Sequence, residues 1–426
     1  MGETISTSLP AVKAYLVGIR TTDISKTDAV NLLRELENLV STMGLRITGS
    51  QTAVVKMPHP ALLVGKGKAE EIKEKAADAD ADCIVIDTDL TPSQQRNWEH
   101  LTGLAVIDRH EVILDIFAQR ASTREASLQI SLAQQEYSLP RLRRAWTHLS
   151  RQRGGQRGTR GEGEAQLEVD RRLVLKRIAR IKKELKKVES HRETQRKQRL
   201  REPLPTASIV GYTNAGKSSL LNLLTGATVG VENKLFATLD PTTRRLPLPS
   251  GRELLVTDTV GFIRRLPHDL IEAFKATLEE TALADFLIQV VDASSREIEV
   301  HMKSTASVLE MVGAGDEPVI TVFNKIDLLS EDERSTLSVI HPEAFFLSVK
   351  SGEGVEKLVA ELDEMVRAGF ITERFSVPSS RTDLVAMVHR EGVVLEEKYV
   401  DSRIDIKAEM PLRVKNNLIN EHIAFT

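Results

Sequence analysis

The chain has 426 residues, more than one ordinary hydrophobic core can organise, and its length predicts two to four domains. Hydrophobic residues at 41% and charged residues at 28% describe a globular protein, and aromatics at only 4% require its cores to be aliphatic. The formal charge of −3 conceals an asymmetry: residues 141 to 201 carry 21 Lys and Arg against 7 Asp and Glu, a local +14 that leaves −17 elsewhere.

A basic block of this kind suits a polyanion, either nucleic acid or an anionic membrane surface, through phosphate neutralisation and counterion release. A solvated helix face is the alternative reading. Nothing points to DNA. Cys83 is the only cysteine, which excludes an intrachain disulfide and a cysteine-based zinc site and fits a reducing compartment. The opening MGETISTSLPAVK lacks a basic n-region and an apolar h-region, and no apolar run approaches the ~20 residues that span a bilayer. A cytoplasmic protein without a transmembrane segment is expected, with partial membrane association left open by the basic block. Nothing demands a dimer, so a monomer is expected.

The first hundred residues alternate strand and helix patterns: AYLVGIR as strand, DISKTDAVNLLRELENLVSTMG as amphipathic helix, LRITGSQTAVVKM as strand. KAEEIKEKAADADAD and PSQQRNWEHLTG then read as helices, and CIVID and LAVID as strands, which makes a small α/β domain over 1–109. Strands cease from His110. Two long helices joined by a glycine- and arginine-rich loop, SRQRGGQRGTRGEGEAQ at 150–166, predict a basic helical hairpin over 110–202. Its seam is an aliphatic stripe of Leu167, Val174, Ile178, Ile181, Leu185 and Val188. Two prolines in REPLPT end the helix, and alternation resumes over 203–370. Residues 371–426 predict a small C-terminal α/β unit of strand, helix and two strands. The expected fold is α/β throughout: a P-loop domain, preceded by a small α/β domain with its helical hairpin and followed by another small α/β domain.

The apolar strand ASIV, the run GYTNAGKS and the helical SLLNLLTG satisfy GxxxxGK[ST] in its required setting. Gly211, Tyr212, Thr213, Asn214, Ala215, Gly216, Lys217, Ser218 and Ser219 are therefore the expected phosphate-binding loop. Backbone N–H groups and the helix N-terminus surround the phosphates, Lys217 reaches the β and γ positions, and Ser218 ligates magnesium. LLVTDTVG places Asp258, Thr259, Val260 and Gly261 after a strand, Asp258 to hold magnesium through water and Gly261 to meet the γ-phosphate. VITVFNKID supplies Asn324, Lys325, Ile326 and Asp327, an NKxD whose carboxylate accepts from the ring N–H and amino group of guanine. Ser348, Val349 and Lys350 resemble the SAK element that supports the guanine face. Four motifs in this order identify a GTP site.

LFATLDPTTRR falls where a GTPase keeps its γ-phosphate switch. Phe236, Ala237, Thr238, Leu239 and Asp240 are expected to line the nucleotide, with Thr238, by its likeness to the TTL segment of Obg-like GTPases, completing the magnesium shell of Ser218 and Asp258; Thr242 and Thr243 are the alternatives. Lys217, Thr238 and Gly261 are the expected catalytic set. Phe262 stands where many GTPases have the glutamine that orients water, so slow intrinsic turnover accelerated by a partner is expected, with packing at Phe262 and a nearby substitute as the rival idea. Asn214 occupies the place of the asparagine in potassium-activated GTPases, which makes potassium a second candidate cofactor; support of the loop turn is the competing explanation.

The order of parts, with RGTRGEGEAQLEVDRR, GYTNAGKSSLLN, FATLDPTTR and DTVGFI, resembles the HflX family of GTPases over nearly the whole chain. RGEGE around Gly161 and Gly163 departs from the RGPGE expected of most relatives, and the C-terminal domain resembles one found in only some of them. The resemblance implies a factor that binds the large ribosomal subunit, directs the hairpin loop toward the peptidyl-transferase region and splits stalled ribosomes under stress. Arg153, Arg157 and Arg160 are then the expected rRNA phosphate contacts. It also implies ATP binding in the N-terminal region, for which LLVGKGKAEEI at Gly65 to Lys68 is the candidate despite lacking GxxxxGK[ST]. Two rival functions fit the same residues: a signalling GTPase acting on a protein or membrane partner, and an RNA-remodelling protein with a second nucleotide site.

Overall fold

The opening alternation becomes β1 (Lys13–Arg20), α1 (Lys26–Met43), β2 (Arg46–Val54), α2 (Lys66–Asp78), β3 (Cys83–Ile86), α3 (Pro92–Thr102) and β4 (Ala105–Asp108). The computed structural model describes residues 12–142, 160–199, 204–226, 235–236, 238–265, 267, 281–315, 317–421 and 423–425. These form two compact units, the first comprising Met1–Lys186, Glu232–Asp240 and Arg265–Lys275, the second Lys187–Val231, Pro241–Arg264 and Ala276–Thr426.

In the first unit the four strands pair in the order β2-β1-β3-β4, all parallel. All four residues of β3 are buried, as a strand covered on both faces requires. Local signals set the helix ends. The Ser25 side chain accepts from the Asp28 N–H at the start of α1, Gly44 closes it in the left-handed region, and a reciprocal Thr91/Gln94 capping box opens α3.

Beyond β4 the chain continues as α4 (Arg109–Arg120) and α5 (Arg124–Ser138), followed by a single 3-10 turn (Leu139–Arg141), and the next described element is α6 (Arg160–Arg199). The first arm is thus two helices rather than the expected one: Ala121 is extended and the Thr123 side chain starts α5 afresh by accepting from the Ala126 N–H. The second arm also differs, because the expected loop over 150–166 is helical from Arg160 onward, and the rest of that loop lies outside the described residues. Extending an existing helix needs no new nucleus, so the segment stays helical through Gly161 and Gly163 despite their low helix propensity. Of the stripe, Ile178, Ile181 and Leu185 are buried and Val174 and Val188 half-buried, while the Leu167 side chain is outside the described set. Ion pairs Lys182–Glu136 at 2.8 Å and Arg124–Glu184 at 3.4 Å join α6 to α5.

The second unit holds β5 (Thr206–Gly211), α7 (Lys217–Thr225), β6 (Thr242–Pro247), β7 (Glu253–Asp258), β8 (Phe286–Asp292), α8 (Ile298–Val312), β9 (Val319–Asn324), α9 (Glu331–Ile340), β10 (Phe345–Phe346) and α10 (Val355–Ala368). Its sheet runs β10-β9-β8-β5-β7-β6, parallel except for β6 against β7. Ile209, Leu220, Leu254, Val256, Ile288, Val322 and Leu362 belong to its aliphatic core. Parallel strands end on one edge, and the loops leaving that edge carry the candidate site.

The same unit closes with β11 (Phe370–Pro378), α11 (Thr382–Glu391), β12 (Val393–Val400), β13 (Arg403–Pro411) and α12 (Leu412–Asn420). The strands form an antiparallel sheet in the order β11-β13-β12. Helix α12 was not expected; Val414 and Leu418, four residues apart, bury its apolar face in the core with Phe375, Val388 and Ile406. Arg252 ties this core to the larger sheet, pairing with Glu409 and lying 4.5 Å over the Phe370 ring.

Candidate functional site

Strand β5 ends at Gly211 with φ +143°, where a Cβ would stand 2.2 Å from the Val290 carbonyl oxygen, so only glycine fits. The chain then turns through Asn214 at φ +60°, a conformation asparagine tolerates better than most residues. The Asn214 side chain is exposed. Gly216 follows at φ +101°, with space for a Cβ closed by Asn324 Nδ2 at 2.2 Å, and α7 begins at Lys217 with its N-terminus toward the loop.

Lys217 is buried, and its Nζ donates to the carbonyl oxygens of Gly211 at 3.2 Å and Tyr212 at 3.0 Å. Burial pushes its pKa down to about 8, against the pull of the Asp258 carboxylate. Ser218 Oγ donates to Asp258 Oδ2 at 2.6 Å, and Asp258 is fully buried at the end of β7. Thr259 Oγ1 donates to the Ile209 carbonyl at 2.7 Å and Val260 is buried beside it in sequence. A Cβ on Gly261 would lie 2.8 Å from Thr213 Cγ2 and 2.9 Å from Lys217 Nζ, so the glycine lets the chain close onto the lysine. Phe262 is 1% exposed; its N–H donates to the Gly211 carbonyl at 3.1 Å and its carbonyl accepts from the Thr213 N–H at 2.8 Å. A side chain so packed orients no water.

On the other side of the edge, Asn324 at the end of β9 donates through Nδ2 to the Ala215 carbonyl at 2.8 Å and accepts through Oδ1 from the Val349 N–H at 3.0 Å. One buried amide thereby joins the phosphate loop to the segment of Ser348, Val349 and Lys350. Lys325 pairs with Asp292 at 2.6 Å, and Ile326 is buried. Asp327 Oδ1 accepts from Ser348 Oγ at 2.6 Å, a bond that holds its carboxyl below the usual pKa and keeps it an ionised acceptor. The second unit therefore brings together residues 211–219, 258–261, 324–327 and 348–350, more than a hundred positions apart in the chain. It also shows partners that no sequence spacing revealed, Asp292 for Lys325 and Tyr212 for Arg264.

Of the switch segment, Phe236, Thr238, Leu239 and Asp240 belong to the first unit, and Ala237 lies outside the described residues. Asp240 accepts from the backbone N–H groups of Ser122 and Thr123, each at 3.0 Å, and from both hydroxyls. Burial works against the ionised Asp240, but these four bonds outweigh it and hold its pKa low. Phe236 meets Phe117 edge-on with ring centroids 4.6 Å apart.

Arg153 and Arg157 lie outside the described residues, and Arg160 is the first residue of α6 with its side chain undescribed. At the N-terminal candidate for ATP, Gly65 has φ −63° and a Cβ on Gly65 or Gly67 would meet nothing within 4 Å, so neither glycine is required by close packing. Among the described residues no cluster of three His, Cys, Asp or Glu forms a metal site, and no helix is long and apolar enough to cross a membrane.

Three family models match the chain: a GTP-binding GTPase N-terminal model over residues 31–118, a GTP-binding GTPase middle region over 120–199, and a 50S ribosome-binding GTPase over 206–325. The chain is 50% identical over 418 residues to the GTPase HflX of Akkermansia muciniphila, covering 95% of this chain and 96% of that protein. It is 42% identical over 388 residues to the GTPase HflX of Escherichia coli K12, covering 89% and 90%. The match to the Caldanaerobacter subterraneus GTPase HflX is 43% over 408 residues, covering 96% and 93%. Together with a phosphate loop, a DxxG segment and an NKxD segment folded onto one sheet edge, these likenesses show that the chain belongs to the HflX family of GTPases and hydrolyses GTP.

Proposed function

We propose that this GTPase binds the large ribosomal subunit and splits or rescues stalled ribosomes under stress, its basic helical segment contacting rRNA and the subunit accelerating hydrolysis. The observation that carries the reading is the pairing, in one chain, of a GTP site whose Phe262 is buried with a segment of local charge +14. The first leaves hydrolysis short of a water-orienting side chain, and the second suits phosphate-rich RNA. The match of residues 206–325 to a 50S ribosome-binding GTPase model points to the same partner.

In this reading the Gly211–Ser219 loop holds the phosphates with its backbone N–H groups, Lys217 leaves the Gly211 and Tyr212 carbonyls for the β/γ oxygens, and Asp327 selects guanine. Magnesium would supply charge neutralisation at those oxygens. The hydroxyl of Ser218 and the carboxylate of Asp258, 2.6 Å apart, are the hard oxygen donors that it takes, with Thr238 assigned as the further ligand. The Thr238 and Asp240 segment moves with the γ-phosphate and reports hydrolysis. Arg153, Arg157 and Arg160 contact rRNA phosphates, and the protein works in the cytoplasm.

Steady-state GTP turnover with and without purified large subunits, in the intact protein and in one lacking residues 150–166, tests this. Stimulation in the range of ~10³–10⁵, as an added catalytic group provides, that partly survives the deletion is the expected result. Unchanged turnover with subunits at low salt would overturn it in favour of a signalling GTPase.

A further inference from the structure

Behind the phosphate loop lies a cluster that the nucleotide chemistry leaves unused. The Tyr212 ring stacks on His301 of α8, with centroids 3.8 Å apart and planes at 14°. Its hydroxyl accepts the backbone N–H of Arg264 at 2.9 Å. The Arg264 guanidinium reaches the Glu297 carboxylate at 2.9 Å, both side chains largely buried. Glu297 N–H donates to Ser295 Oγ at 3.1 Å, Ser295 Oγ lies 3.4 Å from His301 Nδ1, and the His301 N–H donates to the Glu297 carbonyl at 2.9 Å. These contacts close a ring that runs from the phosphate loop through the segment after Gly261 to the start of α8 and back.

Tyr212 also faces the chemistry. Its carbonyl accepts from Lys217 Nζ at 3.0 Å, and its backbone forms a parallel bridge with Phe262. One residue therefore touches the lysine of the phosphate site, the position without a water-orienting side chain, and the backbone two residues beyond it.

We propose that Tyr212 is a positioning residue for GTP hydrolysis: stacked on His301 and bonded to Arg264, it keeps the Gly261–Arg264 segment in register with the phosphate loop. With Phe262 buried, that segment contributes to catalysis through where its backbone sits. Rates are sensitive to such placement, since a displacement of about 1 Å can cost ~10²-fold. A ring that served only packing would affect folding and nucleotide affinity without singling out turnover.

The test is intrinsic GTP hydrolysis without ribosomes, so its outcome is separate from the ribosomal reading. Tyr212→Phe keeps the stacked ring and deletes one hydrogen bond of ~1 kcal/mol, so kcat falls about fivefold to tenfold while GDP affinity stays within about twofold. His301→Phe, which preserves the stack, keeps kcat within about threefold of the parent, and His301→Ala falls below it by a further factor of about five. Tyr212→Phe with kcat within about twofold of the parent overturns the proposal. So does a loss of kcat matched by an equal loss of GDP affinity. Should Tyr212→Phe fail to fold, the two His301 variants decide, and equal turnover in them overturns the proposal.

Discussion

Asp327 can be identified from the spacing of NKxD, but the reason it stays an acceptor is the Ser348 hydroxyl at 2.6 Å, 21 residues away. Because that bond lowers its folded-state pKa, the stabilisation is present at neutral pH and disappears as the pH falls through the lowered value. Asp327→Asn removes the charged acceptor. Hydrogen bonds to charged groups contribute ~1.5–3 kcal/mol, so GDP affinity falls about 10- to 100-fold, while a xanthine nucleotide, which has a carbonyl in place of guanine's amino group, gains; competition titration measures both. Gly211 and Gly216 were legible in the same way, since their motif states the need for glycine and Val290 and Asn324 supply the atoms that enforce it. Tyr212 was legible only as a member of the loop. Its ring and hydroxyl meet residues 52 and 89 positions away, which no local pattern encodes.

Helices and strands were the most readable objects, because apolar periodicity and capping act within a few residues. The stripe of Ile178, Ile181 and Leu185 is buried as its spacing implied. The interruption between α4 and α5 was not readable, since Ala121 to Thr123 carry no proline or glycine, and Asp240 accepts four hydrogen bonds from Ser122 and Thr123 at the break. Those bonds place a carboxylate at the N-terminus of α5, where its charge complements the helix dipole. Asp240→Ala accordingly costs about 1 kcal/mol, lowers Tm by about 2–4 °C and speeds amide exchange over residues 124–127, with exchange elsewhere in α5 less affected. Unchanged exchange in that first turn would show that Thr123 caps the helix unaided.

At the scale of the whole molecule, charge is the property that counts. A net −3 would suggest indifference to nucleic acid, whereas a segment at +14 beside a remainder at −17 predicts binding to subunits governed by salt. If six phosphates are neutralised, affinity drops about 10³-fold between ~50 and ~200 mM salt, which co-sedimentation at those concentrations measures; a flat response would remove the RNA contact from the proposal. The α/β class, the GTP chemistry and its guanine preference were determined by sequence alone, because short motifs fix backbone conformation and donor patterns locally. Tertiary structure decided the rest: that Asn324 joins two loops, that Phe262 is packed out of reach of water, and that Asp240 accepts hydrogen bonds from Ser122 and Thr123 at the start of α5. Those outcomes depend on which distant atoms fill the space around a side chain, and only the folded chain brings those atoms there.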